Sequence, residues 1–309
     1  RISTIPTVHG ESIVLRLLRQ TATGLTLDEL GIRGRALELL KKEIRRPNGM
    51  IIATGPTGSG KTTTLYAILR ILNKPGVKII TLEDPVEYRV AGLNQSQIDR
   101  SKDYTFAKGL RSMLRQDPDI VMVGEIRDLE TADIAIQASL TGHLLLSTIH
   151  TNSAAGAIPR FLAMGVKPFL LTPALNCIIG QRLVRRVCVV CRKQVGLEQL
   201  GLPLQEKVQS IFEHLPIPEK EGLSRQAQKF YEAVGCAACN SLGYKGRVNV
   251  SELLIMTPKI SEAIAAGQVT EHEVQELARA EGMLTMVEDG VLKALEGVTT
   301  LEEVFRVTE

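Results

Sequence analysis

The segment from Gly55 to Thr62 reads Gly-Pro-Thr-Gly-Ser-Gly-Lys-Thr and satisfies the pattern G-x-x-x-x-G-K-[ST] at every position. Glycines let consecutive backbone N–H groups turn toward phosphate oxygens, and a helix N-terminus behind them adds a favourable dipole. A strand is predicted over Met50–Ala53 and a helix from Lys61, which disfavours the alternative of a glycine-rich turn with a chance lysine. Lys61 is expected to reach the β- and γ-phosphates of a nucleotide, and the Thr62 hydroxyl to bind Mg²⁺. The predicted nucleotide-binding residues here are Gly55, Pro56, Thr57, Gly58, Ser59, Gly60, Lys61, Thr62 and Thr63.

Two apolar segments after this loop end in carboxylates. One leads into Glu83 and Asp84, and the other, starting at Asp119, ends in Glu125. A carboxylate at a strand end beside a phosphate loop can hold Mg²⁺ through water or polarise an attacking water molecule. Glu125 and Glu83 are therefore predicted to be catalytic, with a solvated strand end as the alternative. The guanine-reading tetrapeptide N-K-x-D is absent, which favours ATP over GTP.

Four of the five cysteines form two C-x-x-C pairs, Cys188 with Cys191 and Cys236 with Cys239, and 44 residues lie between the pairs. Each pair can direct two thiolates at one ion, so the two pairs together predict a tetrahedral Zn²⁺ site. Redox dithiols are the alternative, disfavoured because neither pair opens a helix that follows a strand. Cys177 has no partner in this pattern and is predicted to be buried.

Strands alternating with helices are expected to position these residues. Besides the strand before the loop, strands are predicted over Lys78–Leu82, Ile120–Val123 and His143–Ile149, and a further strand over Arg1–Ile5. This order implies a parallel sheet with helices on both faces. The predicted helices are Thr62–Leu72, Phe106–Arg115, Glu130–Leu140 and Ala154–Met164. Thr21–Gly31 carries turn residues and is predicted to be a linker. Three helices are predicted after Pro258, and Thr270 with Glu273 and Thr300 with Glu303 fit capping boxes.

Composition narrows the class of protein. The chain has 309 residues, 44% of them hydrophobic and 23% charged, which is ordinary for a folded protein of about two domains. A net charge of +3, aromatics at 4% and the absence of Trp give little support to a nucleic-acid surface. The longest stretch without a charged residue, Ile134–Pro159, contains polar residues such as Gln137 and Asn152, so a soluble protein without a membrane span is predicted. The beginning at Arg1 suggests a piece of a longer protein with an upstream domain.

Several motifs together carry a resemblance to a known family. They follow in one order along the chain: Gly55–Thr62, Ile80–Tyr88, Leu114–Asp119, Gly124–Asp128 and Thr141–Asn152. In this order they resemble those of the bacterial secretion ATPases, the hexameric motors of type II secretion and type IV pilus assembly. The resemblance covers almost the whole chain and implies a P-loop RecA-like α/β fold with a small Cys₄ zinc element and a C-terminal helical region. It also implies the following division: 1–30, the tail of a second N-terminal domain with a linker; 31–187, the ATPase domain; 188–247, the zinc element; 248–309, the helical region.

The resemblance assigns further roles. It places Glu83 and Asp84 in an Asp box, Glu125 in the Walker B element, and His143 and His150 in a His box, where His150 would sense the γ-phosphate or hold water. A structural hydrogen-bonding role is the alternative for either histidine. Phosphate-reaching arginines of the family match the following residues: Arg1, Arg16, Arg111, Arg115 and Arg127. Arginine suits phosphate because its planar fork matches the oxygens, although a surface ion pair is the alternative for each.

The resemblance also implies the partners. A homo-hexamer would use ATP, Mg²⁺ and Zn²⁺ and act on an inner-membrane platform and other secretion or pilus machinery proteins, with no nucleic acid expected. Its place would be cytoplasmic and peripheral to the inner membrane. Because pilus retraction motors generally lack the four cysteines, secretion or pilus extension is favoured. Two alternatives remain, a nucleic-acid-dependent RecA-like ATPase and a non-catalytic subunit stabilised by zinc.

A cluster of basic residues surrounds the first cysteine pair. Three interpretations of this cluster are open: a solvated face, a contact with anionic lipid, or a subunit interface. Its members are Arg182, Arg185, Arg186, Arg192 and Lys193.

Overall fold

The computed structural model describes residues 2–15, 24–216, 219, 229–267 and 269–309. The strands are β1 (Ile2–Thr7), β2 (Gly10–Leu15), β3 (Gly49–Thr54), β4 (Ile79–Glu83), β5 (Asn94–Gln97), β6 (Ile120–Val123), β7 (Leu144–Ile149), β8 (Leu175–Val187), β9 (Lys193–Gly196), β10 (Lys229–Glu232) and β11 (Tyr244–Ile255). The described α-helices are α1 (Leu27–Leu30), α2 (Gly34–Ile44), α3 (Lys61–Leu72), α4 (Phe106–Met113), α5 (Leu129–Leu140), α6 (Ala157–Ala163), α7 (Pro168–Ala174), α8 (Leu202–His214), α9 (Pro258–Ala265), α10 (Glu271–Ala280), α11 (Met286–Leu295) and α12 (Leu301–Thr308).

A seven-stranded sheet with the order β11-β8-β3-β7-β6-β4-β5 forms the centre of the molecule. Every neighbouring pair in it is parallel except β8 and β11, which are antiparallel. The prediction of a largely parallel sheet flanked by helices is therefore confirmed. All four predicted strands of this sheet are present within one or two residues of their expected bounds.

Both faces of the sheet are covered, because its inner strands are apolar on both sides. In β3, Met50 and Ile52 lie in one core, whereas Ile51 and Ala53 lie in the other. Alternate side chains of a strand point to opposite faces, so a strand that is apolar throughout must be buried on both. Helices α1, α2 and α3 pack on the second of these faces, and α4 to α7 with α9 and α10 pack on the first.

The antiparallel pairing of β8 with β11 was not predicted from the sequence. These two strands have 13 and 12 residues and pair from Cys177–Ile255 to Val187–Tyr244. β11 belongs to the central sheet, although it runs across the boundary expected between residues 247 and 248. A smaller antiparallel pair, β9 with β10, lies beyond its end and shares a third core with α8, α11 and α12.

The predicted strand near the N-terminus is confirmed over Ile2–Thr7, where it pairs with β2. The expected linker, Thr21–Gly31, is only partly a connection. Its first three residues lie outside the described ones, but α1 occupies Leu27–Leu30, with Leu27 buried. Thr26 and Glu29 cap this helix reciprocally, which satisfies backbone N–H groups at its start.

Four α-helices, not three, follow Pro258 in the described part of the chain. The capping box of Thr270 with Glu273 is confirmed. At Thr300 the hydroxyl accepts from the backbone N–H of Glu303, but the Glu303 carboxylate does not return the bond because two arginines bind it. Within the ranges described, no helix combines the length and apolar character needed to cross a membrane.

Candidate nucleotide site and four-cysteine site

Four neighbouring parallel strands bring the predicted site residues to one edge of the sheet. In spatial order β3, β7, β6 and β4 are adjacent, and their carboxyl ends lie together. The glycine-rich loop follows β3, His150 follows β7, Glu125 comes two residues after β6, and Glu83 ends β4. Ligands of open parallel sheets bind at this edge. The site is therefore assembled from segments up to about a hundred residues apart in the chain.

The loop after β3 has the backbone that phosphate binding requires. Gly55, Gly58 and Gly60 have φ angles of +143°, +82° and +92°, which L side chains rarely adopt. A Cβ at Gly55 would also lie 2.4 Å from the Gln181 carbonyl oxygen. Lys61 Nζ donates to the carbonyl oxygens of Gly55 at 2.7 Å and Pro56 at 3.0 Å, so the ammonium lies over the loop. This cradle fits a phosphate chain.

The helix after the loop begins at Lys61, as predicted. Thr62 is exposed at its first turn and Thr63 is partly buried, so both can face a ligand held in the loop. Residues 56–58 are exposed, whereas Ser59 is buried. Burial lowers the pKa of Lys61 to about 8. The Arg182 cation contributes to this shift, whereas the Glu125 carboxylate opposes it.

Glu125 lies in a group of polar side chains at the end of β6. Its Oε2 is 2.7 Å from Arg127 Nε and 3.5 Å from His150 Nε2. Burial, with the nearby Lys61 and Arg127 cations, lowers the pKa of His150, an effect that Glu125 opposes. The imidazole is therefore neutral at neutral pH, with Nε2 directed at the carboxylate. The structure thus brings together Glu125, His150, Arg127 and Lys61, all predicted from the sequence.

Glu83 is held more firmly than a free strand-end carboxylate would be. It is buried, Tyr66 Oη donates to its Oε2, and its Oε1 accepts from Thr81 Oγ1 at 2.6 Å and Gln95 Nε2 at 3.1 Å. Burial and the Glu83 contact raise the pKa of Tyr66, which stays a donor. Such a carboxylate is well oriented. The neighbouring Asp84 is more exposed and accepts from Arg100 Nη2 at 3.1 Å.

Not every residue suggested for this site reaches it. His143 precedes β7 and therefore lies at the opposite edge of the sheet, where Nδ1 is 3.2 Å from the Ala138 carbonyl oxygen. Arg111 pairs with Glu130 Oε1 at 2.7 Å. Arg1 and Arg16 lie outside the described residues.

The structure adds residues to this edge that sequence reasoning missed or placed elsewhere. Gln181, on β8, donates from Nε2 to the Ser59 carbonyl oxygen at 2.8 Å and so contacts the phosphate loop itself. Its neighbour Arg182 donates from Nη2 to Asn152 Oδ1 at 3.2 Å. A short polar dipeptide in an unpredicted strand carries no sequence signal of such a position.

The four cysteines meet because β8 and β11 pair as far as the two C-x-x-C segments. Cys188 follows β8 directly and donates its backbone N–H to the Gly243 carbonyl oxygen, next to the start of β11. The Sγ atoms of Cys188 and Cys236 are 3.9 Å apart, as are those of Cys191 and Cys239, and all four lie within 4.8 Å of one another.

These distances fit a single zinc ion. Sulfurs at the corners of a tetrahedron, each about 2.3 Å from Zn²⁺, are separated by about 3.8 Å, and Cys236 and Cys239 Sγ are 3.8 Å apart. Backbone N–H groups of Cys236 and Gly243 point at Cys239 Sγ, both at 3.2 Å. Although burial opposes them, these N–H groups lower the pKa of Cys239 to about 6, which favours the thiolate that binds metal. Cys177, as predicted, is buried in the sheet.

Comparison with known proteins gives one consistent result. The chain is 47% identical over 308 residues, its whole length, to the type II secretion system protein HxcR of Pseudomonas aeruginosa. It is also 45% identical to the type IV pilus assembly ATPase PilB of Thermus thermophilus, in an alignment of 313 positions that covers the whole chain. The chain spans only 59% and 33% of the lengths of these two relatives.

Solved structures agree with the fold. The pilus retraction motor PilT with bound ADP superposes with a TM-score of 0.66 at 27% identity, covering 98% of this chain and 72% of that one. The ATPase DotB of Legionella pneumophila gives a TM-score of 0.66 at 21% identity over 99% of this chain and 71% of that one, a likeness of fold alone. The family described as type II/IV secretion system protein matches residues 1–306. The chain therefore belongs to the type II/IV secretion system protein family.

Proposed function

We propose that this chain is the Mg²⁺-dependent ATP-hydrolysing part of a hexameric motor that powers type II secretion or type IV pilus assembly. The observation that supports it most is the junction of β3 with the glycine-rich loop, at the same edge of the sheet as His150 after β7 and Glu125 after β6. Membership of the family directs the proposal toward secretion and pilus assembly.

The loop residues and Lys61 bind and orient the triphosphate. Their backbone N–H groups and the ammonium face the phosphate oxygens, which holds the terminal phosphate at a fixed place. Thr62, with Glu125 through water, would hold Mg²⁺, and the ion would supply charge neutralisation for the phosphoryl oxygens. Asp84 is a further candidate for this shell.

Glu125 positions the attacking water and accepts its proton at a carboxylate oxygen. Arg127, now paired with Glu125 Oε2, is free to turn toward phosphate because 61% of its side chain is exposed. His150 holds the carboxylate in place from Nε2. Glu83, with three donors on its oxygens, orients the same water shell and keeps α3 aligned with β4.

Assembly completes the site in this proposal. Arg1 and Arg16 would be supplied by the N-terminal part and reach the phosphates from across a cleft, so that hydrolysis moves one part against the other. Six chains would act on an inner-membrane platform from the cytoplasmic side. The four cysteines would hold Zn²⁺, which would stabilise the end of the β8–β11 pair that carries them.

Steady-state Mg²⁺·ATP hydrolysis by the chain and by Lys61→Ala tests the proposal. Loss of the ammonium is expected to lower turnover at least about 100-fold, because one donor to a developing charge supplies that much. Lys102→Ala, which removes an exposed lysine outside the site, is the matched control. Retained turnover in Lys61→Ala would refute the site. Strong stimulation by single- or double-stranded DNA would favour a nucleic-acid motor instead.

A further inference from the structure

The side chain of Arg182 crosses the strand that leads into the phosphate loop. Arg182 lies toward the end of β8, and its partner Asn152 lies three residues beyond β7. β3 is the strand between β8 and β7 in the sheet. A hydrogen bond from Arg182 Nη2 to Asn152 Oδ1 must therefore span the carboxyl end of β3, where Gly55 begins the loop.

Of the two terminal nitrogens of the Arg182 guanidinium, only Nη2 has a hydrogen-bond partner among the described residues. Its Nη1 atom is buried and has no hydrogen-bond partner, and no carboxylate oxygen of the described residues lies within ion-pair distance. The nearest carboxylate in electrostatic terms is Glu252, whose oxygens already accept from the backbone N–H groups of Ala154 at 2.6 Å and Met286 at 3.3 Å.

Two further buried atoms without a partner belong to the phosphate loop and to the residue before Arg182, whose side chain points to the opposite face of the sheet. They are Ser59 Oγ, in the phosphate loop, and Gln181 Oε1, whose side chain contacts that loop. Buried polar groups in folded proteins are nearly always paired, so an unpaired one needs an explanation such as a bound ion or water. Here unpaired atoms occur both in the phosphate loop and on the arginine whose hydrogen bond spans the strand before it.

The sign of the charge indicates which group. The Arg182 cation lies close enough to Lys61 to lower the pKa of that ammonium, an effect that the Glu125 carboxylate opposes. A phosphate group would pair with both, and the planar guanidinium fork matches its oxygens.

Arg182 differs in this respect from the other arginines of the basic cluster. Arg185 pairs with Glu303 at 2.7 Å and stacks on Tyr244, and Arg186 donates to two backbone carbonyl oxygens. Arg192 donates to a backbone carbonyl and stacks on Tyr231. Of these four arginines, Arg182 alone has a buried nitrogen without a partner, and it is the one at the nucleotide site.

We propose that Arg182 binds the terminal phosphate of ATP through Nη1, and through Asn152 couples its occupancy to the segment that carries His150. The assignment to the terminal phosphate follows from the neighbours of Arg182. Asn152 lies two residues after His150, which contacts Glu125, and Lys61 is the lysine of the loop. This inference rests on the proposed nucleotide site and adds a residue that distinguishes ATP from ADP.

Equilibrium binding of the non-hydrolysable analogue AMP-PNP and of ADP, each with Mg²⁺, tests it. The proteins are the full chain, Arg182→Gln, Arg182→Lys and Arg186→Gln, and thermal unfolding without nucleotide checks that each is folded. Arg182→Gln is expected to weaken AMP-PNP binding roughly 10- to 100-fold, as for loss of a hydrogen bond to a charged group, and ADP binding less than about threefold. Arg182→Lys keeps the charge without the fork and should give an intermediate, equally selective loss. Arg186→Gln removes a cation from the same strand and should change neither affinity.

The outcomes separate the inference from the function on which it rests. Equal losses for AMP-PNP and ADP would place Arg182 at the inner phosphates and overturn the assignment. Unchanged binding of both nucleotides in folded Arg182→Gln would leave the guanidinium a structural group and also overturn it. Failure of the unsubstituted chain to bind either nucleotide would instead refute the nucleotide site as a whole.

Discussion

Glu303 holds the last helix onto the strand that leads to the four cysteines, and its replacement by Gln should be costly. The carboxylate has no exposed surface. It accepts from the Arg185 backbone N–H at 3.0 Å, from Arg185 Nη2 at 2.7 Å, and from Arg306 Nε and Nη2 at 2.9 and 2.7 Å. Arg185 belongs to β8 and Arg306 to α12, so one carboxylate joins a strand to a helix.

The expected loss in the free energy of unfolding follows from the pKa of Glu303. Burial alone would raise it, but the donors from Arg306 and Arg185 lower the pKa of Glu303 from 4.5 to about 2. At 1.36 kcal/mol per pKa unit, this difference stabilises the folded state by about 3 kcal/mol. Because the folded pKa is the lower one, the stabilisation is complete above pH 4.5 and is lost as the pH falls toward 2.

Urea unfolding followed by circular dichroism measures the stabilisation that the Glu303 carboxylate provides. At pH 7 Glu303→Gln should lower the free energy of unfolding by about 3 kcal/mol. Glu302→Gln, the exposed neighbour in the same helix, should change it by less than about 0.5 kcal/mol. The difference between Glu303→Gln and the unsubstituted chain should shrink to about 1.4 kcal/mol at pH 3 and below about 0.5 kcal/mol at pH 2. A loss under about 1 kcal/mol at pH 7, or a difference that does not vary with pH, would refute the reasoning.

Three further predictions concern the two sites. Because burial lowers the pKa of Lys61 to about 8, affinity for AMP-PNP should fall several-fold from pH 8 to pH 9, and a flat titration profile would contradict a charged Lys61 at the phosphates. Cys188→Ser should lower the bound metal and the thermal midpoint together, and elemental analysis that finds under about half a zinc per unchelated chain would exclude the site. His150→Ala should reduce ATP turnover at least about tenfold, whereas His143→Ala, at the opposite edge of the sheet, should leave it within about twofold; equal losses in both variants would show that the geometry of the edge has been misassigned.

The strands around the phosphate loop were predictable because they are short, apolar and separated by amphipathic helices. β5, with the polar sequence Asn-Gln-Ser-Gln, was not, since an edge strand held by backbone pairing needs no apolar pattern. β8 and β11 were also missed. Glycine and charged residues interrupt their pattern, and their pairing joins segments about seventy residues apart.

The functional residues divide in the same way. Lys61, Thr62, Glu125 and the cysteines have local signatures and were predicted. The surroundings of Glu83 were not predictable, because its donors come from three different elements. His143 and His150 look alike in the sequence, yet one precedes and the other follows β7.

The sequence by itself determined the groups that can bind phosphate and metal. A glycine-rich loop before a helix, and two thiolates three positions apart, achieve their chemistry within a few bonds, so the neighbouring residues suffice to specify them. Only the tertiary structure decided which of these groups meet. The two cysteine pairs come together because β8 and β11 run side by side, and Arg182 reaches the phosphate loop because β3 lies between β8 and β7. Strand order results from burial of apolar faces across the whole chain, and no local pattern of residues contains it.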